Sequence, residues 1–332
     1  MHIATNEAGL KYLNILSDRI QNLGGVFLCQ VNVDNTLDTP IMKGNFLIRD
    51  GQFNVADWGT HYRNIQVELL FGNDFLSVKN FSLEGEEGTL RGSGQAVLEK
   101  PGDFSNLNLS NLVFRADHFL VANNRSFELL LSGDLKLWGA LPDLQFNGDL
   151  TVVRSQIFSS FQKSKNSTLL DRSPMLLTAE RGNVHPEQLP IKTTLSQNVA
   201  LLKNFSGTLK IAIPRNTWIR NQEMNMEISG TMSVVKKKAD TKLFGSLKIV
   251  RGTYNFYGKI FKVKSGTVDF QGDPTINPHV ELEVEHLFRG TDRVKNWLIL
   301  KISGTLAKPS FQFFLNDEAI DENNALDRVR LE

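Results

Sequence analysis

The chain has 332 residues and is 41% hydrophobic, enough to bury a core in two compact domains or in one elongated repetitive one. Lysine and arginine number 37 against 36 aspartates and glutamates, so a net charge of +1 provides no global field to attract nucleic acid. The single cysteine, Cys29, excludes an internal disulfide framework and an all-cysteine metal site.

Targeting and membrane-spanning segments have no counterpart in this sequence. The first residues lack the basic segment, apolar run and small-residue cleavage site of a secretory signal. The longest apolar runs, such as residues 129–131 and 297–300, fall far short of the ~20 residues that cross a bilayer as a helix. Any membrane anchor is therefore expected on another part of a longer chain.

Residues 1–23 are predicted to form one amphipathic helix, derived from a truncated preceding repeat. Within 8–23, Leu10, Leu13 and Ile20 recur at helical spacing, and Gly24-Gly25 would end the helix as a carboxyl-terminal cap.

From Val26 the hydrophobic period changes to two, which is typical of β-strands. It is visible in pairs such as Val31 and Val33 and in Ile65, Val67 and Leu69. Turn signals such as Asp50-Gly51 separate the apolar segments. Residues 24–155 are therefore predicted to be a segment of β-repeats in an all-β protein.

Two sequence phrases recur along the chain. The first is KGNFLIRDGQF from Lys43, NGDLTVVRSQIF from Asn147 and FGSLKIVRGTYNF from Phe244. The second is SGDL at Ser132, SGTM at Ser229 and SGTL at Ser303. Spacings of roughly a hundred residues require several strands in each unit. Recurrence along an axis favours an elongated, open, solenoid-like β-structure of short strands over a closed barrel.

Three further segments follow. Residues 156–204 contain long polar, turn-rich stretches and are predicted to be an irregular loop or insertion. Residues 205–315 return to alternation and form the second β-domain. The acidic, polar tail at 316–332 is expected to be helical or frayed and to have been cut from a longer chain.

The stretch from Gly245 to Gly272 is predicted to form four short strands bounded by glycines at 245, 252, 258, 266 and 272, and we call it the glycine-fenced stretch. Alternate positions are apolar, and periodicity alone favours a sandwich core for them. The other interpretation is a hydrophobic groove that shields lipid acyl chains. Its candidate residues are Leu247, Ile249, Tyr254, Phe256, Phe261, Val263, Val268, Phe270, Val280, Leu282 and Val284.

Motifs for catalysis or cofactor binding are not found. The six histidines form no pair at helical metal spacing, and Gly92-Ser93-Gly94 lacks the spacing of a nucleophile elbow. Glu281, Glu283 and Glu285 could hold calcium, but a solvated outer strand face is favoured. Lys236-Lys237-Lys238 is read as a solvated turn. We expect no enzyme activity, no cofactor and no metal.

A resemblance to a known family rests on residues 205–315. Its motifs are Pro214-Arg215-Asn216, Trp218 to Asn221, Met224 to Gly230, Gly252-Thr253-Tyr254, Tyr257-Gly258-Lys259, Phe270 to Gly272, Asn277-Pro278, and Ser303 to Leu306 with Pro309. Together they resemble the carboxyl-terminal domain of the TamB family, the inner-membrane subunit of the translocation and assembly module. Residues 24–155 resemble the more degenerate preceding repeats of that family.

The resemblance implies a long, open β-groove (a β-taco) with a hydrophobic interior, spanning the periplasm of a Gram-negative bacterium and anchored in the inner membrane by a part absent here. It implies phospholipid as cargo, an outer-membrane barrel partner of the TamA or BamA type, and nascent outer-membrane proteins as further partners, with no nucleic acid. It favours the lipid-groove interpretation of the glycine-fenced stretch.

Two functional hypotheses follow from different classes. One is passive conduction of phospholipid acyl chains along the groove between the two membranes. The other is a scaffold or chaperone for autotransporters and outer-membrane barrels that acts through exposed strand edges. A carbohydrate-active solenoid enzyme would need paired carboxylates in one cleft, which the scattered acids do not provide.

Overall fold

The computed structural model describes residues 2–5, 8–10, 20–34, 41–98, 107–158, 204–256, 258–289 and 294–325. Nearly all of them lie in β-strands. A 3-10 turn at Ala56–Trp58 and a helical turn at 322–325 are further elements of these ranges. The strands are β1 (His2–Ala4), β2 (Ala8–Gly9), β3 (Ile20–Asp34), β4 (Ile41–Val55), β5 (Thr60–Phe71), β6 (Phe75–Glu84), β7 (Thr89–Leu98), β8 (Leu107–Asn123), β9 (Phe127–Ala140), β10 (Gln145–Phe158), β11 (Ser206–Arg220), β12 (Met224–Lys237), β13 (Asp240–Phe256), β14 (Lys259–Gln271), β15 (His279–Arg289), β16 (Lys295–Thr305), β17 (Lys308–Leu315) and β18 (Glu318–Ile320).

The chain divides into two compact units. The first comprises residues 1–155, 196–212 and 234–241, and the second comprises 156–195, 213–233 and 242–332. In the first unit, β3 to β9 form an antiparallel ladder in which each strand pairs with the next, and β1 and β2 both pair with β3. In the second unit, β13 to β18 form a ladder of the same kind. The prediction of an all-β, open-sheet architecture is confirmed.

Two of the three copies of each recurring phrase lie on neighbouring strands that pack through their glycines. In the first unit, a β-carbon added at Gly133 would lie 2.2 Å from the carbonyl oxygen of Asp149, and one at Gly148 would lie 3.0 Å from that of Asp134. Gly230 and Gly245 in the second unit repeat this reciprocal approach, to Ser246 and Thr231, at 2.3 Å each. The glycines are thus required by close contact between backbones.

The glycine-fenced stretch differs from its predicted form. It consists of two long strands, β13 and β14, and not of four short ones, because Gly245, Gly252 and Gly266 lie inside strands. Of the predicted fences, Gly258, with φ of 82°, stands in the turn that joins β13 to β14. Glycine in this sequence therefore marks close approach between strands more often than chain reversal.

The helix predicted for 8–23 is wrong at both of its ends. Ala8–Gly9 is a strand, and Ile20 begins β3. Gly24 and Gly25 do not cap a helix, since they form a bulge where the register between β3 and β4 shifts. Gly25 has φ of 104° and packs against Gly51. Residues 11–19 lie outside the described ranges.

Two other predicted segments overlap the described ranges only in part. Residues 156–158 of the predicted insertion belong to β10, and 159–203 lie outside the described residues. In the polar tail, β18 pairs with β17, and Ala325 in the helical turn is fully buried. The beginning of the tail is therefore packed structure and not a frayed end.

Candidate functional site

Two rows of apolar residues cross the ladder of the first unit from β3 to β9, and we call them the apolar rows. Directly paired residues on adjacent antiparallel strands lie on the same face, so each row is continuous. Row one is Phe27, Ile48, Val67, Phe81, Gly92, Phe114 and Leu135, and row two is Cys29, Phe46, Leu69, Val78, Gly94, Leu112 and Leu137.

Every residue of the apolar rows is only partly buried. The face opposite them carries polar residues such as Glu68, Asn80, Ser93 and Lys136 among apolar ones. A strand face with apolar residues on strand after strand that are neither fully covered nor fully exposed is an open apolar surface. Such a surface favours contact with an apolar ligand or partner.

Glycine shapes the middle of this surface. Gly92 has no side chain, so the rings of Phe81 and Phe114, on the strands either side of it, meet edge to face at 5.7 Å. A β-carbon at Gly92 would lie 2.8 Å from the ring of Phe114. Gly94 is the residue of row two on the same strand, and a β-carbon there would lie 2.3 Å from the carbonyl oxygen of Asn111. Because neither glycine has a side chain, the apolar surface has a depression at β7.

A buried cluster in the same unit flanks row one and packs against its residues Val67 and Phe81. Tyr62 of β5 stacks on Phe119 of β8 at 5.4 Å, although β6 and β7 lie between their strands in the ladder. The Tyr62 hydroxyl donates to the backbone oxygen of Val121 at 3.0 Å, and burial raises the pKa of that hydroxyl. The sheet therefore curls beside row one, and Ile65, Leu83 and Ala116 complete the cluster.

In the second unit the predicted groove residues divide into two groups. Eight belong to a hydrophobic cluster that we call the closed cluster: Ile249, Tyr254, Phe256, Phe261, Val263, Val280, Leu282 and Val284. The other three, Leu247, Val268 and Phe270, lie elsewhere, with Leu247 buried and the last two partly buried. The closed cluster also takes residues from β12, β16, β17 and β18.

Protein atoms already cover the centre of the closed cluster. Phe261 and Val284 have 0% exposure and Phe256 has 1%. The ring of Phe256 contacts those of Phe261 at 6.0 Å and of Phe313 at 5.9 Å. Ala325, from the helical turn that follows β18, is part of the same cluster. These contacts are those of a packed core, while Ile249, Val263 and Val280 are the predicted residues at its partly buried margin.

Ion pairs on the strands are the feature that sequence reasoning missed. Glu227 is 1% exposed, accepts from the backbone of Asn216 at 3.1 Å and pairs with Arg251 at 2.6 Å. The Asn216 N–H first, and then Arg251, hold the Glu227 pKa below its usual range. The guanidinium groups of Arg220 and Arg251 lie 5.1 and 5.4 Å from the Trp218 ring.

The first unit contains a comparable pairing. Arg154 ends the phrase NGDLTVVR as Arg251 ends FGSLKIVR, and it pairs with both Glu87 and Glu128 at 2.6 Å. The signal was therefore present in the sequence as an arginine at a fixed place in the first recurring phrase. The acidic partners follow no matching pattern, so only the structure reveals the pairs.

One carboxylate on the acidic strand face of β15 is neutralised by two lysines. Glu283 pairs with Lys264 at 2.9 Å and with Lys301 at 3.6 Å, and Lys264 lowers the pKa of the Glu283 carboxyl. Within the described ranges, no group of three or more histidine, cysteine or acidic residues is arranged to hold a metal ion. None of the helical segments in those ranges has the length and apolar character that crossing a bilayer requires.

Comparison with known proteins identifies the family. The model of the TamB C-terminal domain matches residues 79–324, which is most of the chain. This chain belongs to the TamB family. A curated relative, the translocation and assembly module subunit TamB of Haemophilus influenzae (strain ATCC 51907 / DSM 11121 / KW20 / Rd), is 19% identical over 283 residues. That alignment covers 83% of this chain and 21% of the relative, so the chain spans about a fifth of the relative's length.

The TamB match includes parts of both units. It begins in β6, includes Gly92 and Gly94 of the apolar rows, and contains every residue of the closed cluster except Ala325. The prediction of a TamB-family chain is confirmed. The family match by itself assigns no role to the apolar rows or to the closed cluster.

Proposed function

We propose that the apolar rows of the first unit shield the acyl chains of phospholipid, as part of a TamB-like protein that conducts lipid between the inner and outer membranes. The observation that carries this proposal is the continuity of partly buried apolar residues from β3 to β9. Each methylene moved from water onto such a surface gains up to about 0.8 kcal/mol, and no directional contact is needed.

The chemistry required is passive. An acyl chain can lie across the rows with its headgroup in water, since no polar anchor is needed to hold a hydrocarbon. The rows offer Phe27, Phe46, Phe81 and Phe114 as broad contact surfaces. The proposal assigns the chain to the periplasm of a Gram-negative bacterium, anchored in the inner membrane by another part of the parent protein.

The closed cluster has a structural role in this proposal. Its central residues, among them Phe256, Phe261 and Val284, are covered by protein. We assign them to stabilising the second unit, while Ile249, Val263, Val268, Phe270 and Val280 remain the proposed lipid-facing residues there because they are partly exposed.

The test is lipid retention by the purified 332-residue chain. Native mass spectrometry after isolation from a Gram-negative host should show bound phospholipid. The pair Leu69→Asp and Leu112→Asp, on the apolar rows, should remove most of it. The matched pair Leu70→Asp and Val113→Asp lies on the opposite face of the same strands and should retain lipid. A lipid-free wild-type chain, or equal loss in both pairs, would reject the proposal.

A second candidate function is support of outer-membrane protein assembly with a barrel partner of the TamA or BamA type. The name of the Haemophilus relative, a translocation and assembly module subunit, favours it. Photo-crosslinking from the edge strand β18 to a nascent barrel protein, with the Leu69→Asp and Leu112→Asp pair retaining full crosslinking, would support this function over lipid conduction.

A further inference from the structure

The hairpin of β15 and β16 carries an exposed apolar patch on the face opposite the closed cluster. Leu287 of β15 and Trp297 of β16 are directly paired, and each alternates with a buried residue of the closed cluster, Phe288 or Leu298. Both side chains therefore project away from the core, and they are 43% and 42% exposed. Large apolar side chains gain nothing from water, so a paired and exposed set points to a contact surface.

One neighbour enlarges the patch. Ile260 of β14 is 60% exposed. The pairing of Lys262 with Glu285 places Ile260, two residues before Lys262, level with Leu287, two residues after Glu285. The patch thus extends over three adjacent strands, β14, β15 and β16, at the same end of each.

A pair of cations lies beside the patch. Arg289 and Lys295 are directly paired across the hairpin, one step beyond Leu287 and Trp297 on the same face. Like charges in opposed positions repel each other. Neither residue forms an ion pair with any residue that the structure describes. Two cations that no described acidic residue pairs with, next to exposed apolar groups, create a surface suited to an anionic, partly apolar partner.

The backbone under the patch is held in place. The N–H of Trp297 donates to the side-chain oxygen of Asn316 at 2.8 Å, and its carbonyl oxygen accepts from the backbone N–H of Asn316 at 2.9 Å. Asn316 also donates to the side-chain oxygen of Asn296 at 2.8 Å. The indole is therefore presented from a fixed strand and not from a mobile loop.

We propose that this hairpin binds the surface of an anionic phospholipid bilayer. Trp297, Leu287 and Ile260 would enter the interfacial region, where an amphipathic indole ring is favoured. Arg289 and Lys295 would face the lipid phosphates, and each cation near such a surface strengthens binding. The inference does not rest on the apolar rows, which are on other strands and contact acyl chains of single lipids.

The test is flotation of the 332-residue chain with vesicles. We expect binding to vesicles of phosphatidylethanolamine with phosphatidylglycerol, and weaker binding to phosphatidylcholine vesicles or at high salt. Leu287→Ser with Trp297→Ser should reduce affinity roughly tenfold or more. Arg289→Gln with Lys295→Gln should reduce it by a similar factor for anionic vesicles only. Circular dichroism confirms that each variant is folded.

Two matched controls separate the patch from general stickiness. Phe75 and Val97 form another exposed, directly paired set, 42% and 45% exposed, and Phe75→Ser with Val97→Ser should leave flotation unchanged. Lys248→Gln with Lys308→Gln removes the same charge elsewhere and should also have no effect.

Tryptophan fluorescence reports the contact directly. Vesicles with brominated acyl chains should quench the wild-type chain, and Trp297→Phe should abolish most of the quenching while it retains flotation. Absence of vesicle binding, equal loss in the Phe75 and Val97 control, or quenching that persists in Trp297→Phe would each overturn the proposal.

Discussion

The ring of Phe256 in β13 lies 5.9 Å from that of Phe313 in β17, although β14, β15 and β16 separate their strands in the ladder. Neighbouring strands are roughly 5 Å apart, so the four spacings between β13 and β17 would hold these rings about 20 Å apart in a flat sheet. The sheet of the second unit must therefore curl until its inner face meets itself, and the closed cluster is the result.

Removal of the Phe313 ring should destabilise the second unit strongly. Phe313→Ala leaves a cavity beside Phe256, and we expect a loss of about 3–5 kcal/mol in the free energy of unfolding. Hydrogen exchange of the β13 to β17 amides measures it. Phe244→Ala, which removes a ring that is 39% exposed in the same unit, should cost roughly 1 kcal/mol. Equal costs for the two variants would contradict a core role for the Phe256 and Phe313 contact.

The paired glycines of the recurring phrases should tolerate no side chain. Gly133 and Gly230 have φ of 141° and 151°, and an added β-carbon would lie 2.2 or 2.3 Å from a neighbouring carbonyl oxygen. We expect Gly133→Ala and Gly230→Ala each to cost about 2–4 kcal/mol, from overpacking and backbone strain together. Chemical denaturation measures the cost. At Gly258, where a β-carbon meets nothing within 4 Å, only the φ penalty of about 1 kcal/mol should appear.

The Glu227 carboxylate should make the second unit acid-sensitive. Its pKa is lower in the folded chain than in the unfolded one, so its contribution is complete above the unfolded pKa and is lost as pH falls through the folded pKa. Glu227→Gln should therefore destabilise the protein at pH near 7 and have a much smaller effect at low pH. Thermal unfolding across pH, with Glu281→Gln on an exposed strand position as the control, tests this.

Cys29 provides a built-in reporter of the apolar rows. It lies in row two, is partly exposed, and is the one cysteine of the chain. In the lipid-free protein a maleimide should label it, and loading with phospholipid should slow that labelling at least about tenfold, because the thiol would lie under an acyl chain.

The matched control for Cys29 moves the thiol to the other face of β3. Gln30 is exposed and points away from the rows, so Cys29→Ser with Gln30→Cys should label at the same rate with and without lipid. Lipid-independent labelling of Cys29 in the wild-type chain would count against occupation of row two by acyl chains.

Much of the local structure follows from the sequence. Alternation of period two predicts strands from Val26 onward, and the recurring phrases predict repeats, as the reciprocal packing of Gly133 with Gly148 and of Gly230 with Gly245 illustrates. The TamB motifs between Pro214 and Pro309 lie within the residues that the family match covers. The errors occur where glycine has two meanings. The sequence pattern predicts a helix cap at Gly24-Gly25 and a strand boundary at Gly252, whereas the structure has a bulge at the first and an internal strand position at the second.

The sequence by itself determined which side chains share a strand face, because that depends only on the alternation of residues along an extended backbone. It could not determine what covers each face. Phe256 and Phe114 occupy equivalent alternating positions, yet the first is buried against Phe313 and the second remains partly open beside Gly92. That difference depends on how far each sheet curls. Curling is set by contacts between strands that are distant in the chain, which only the tertiary structure contains.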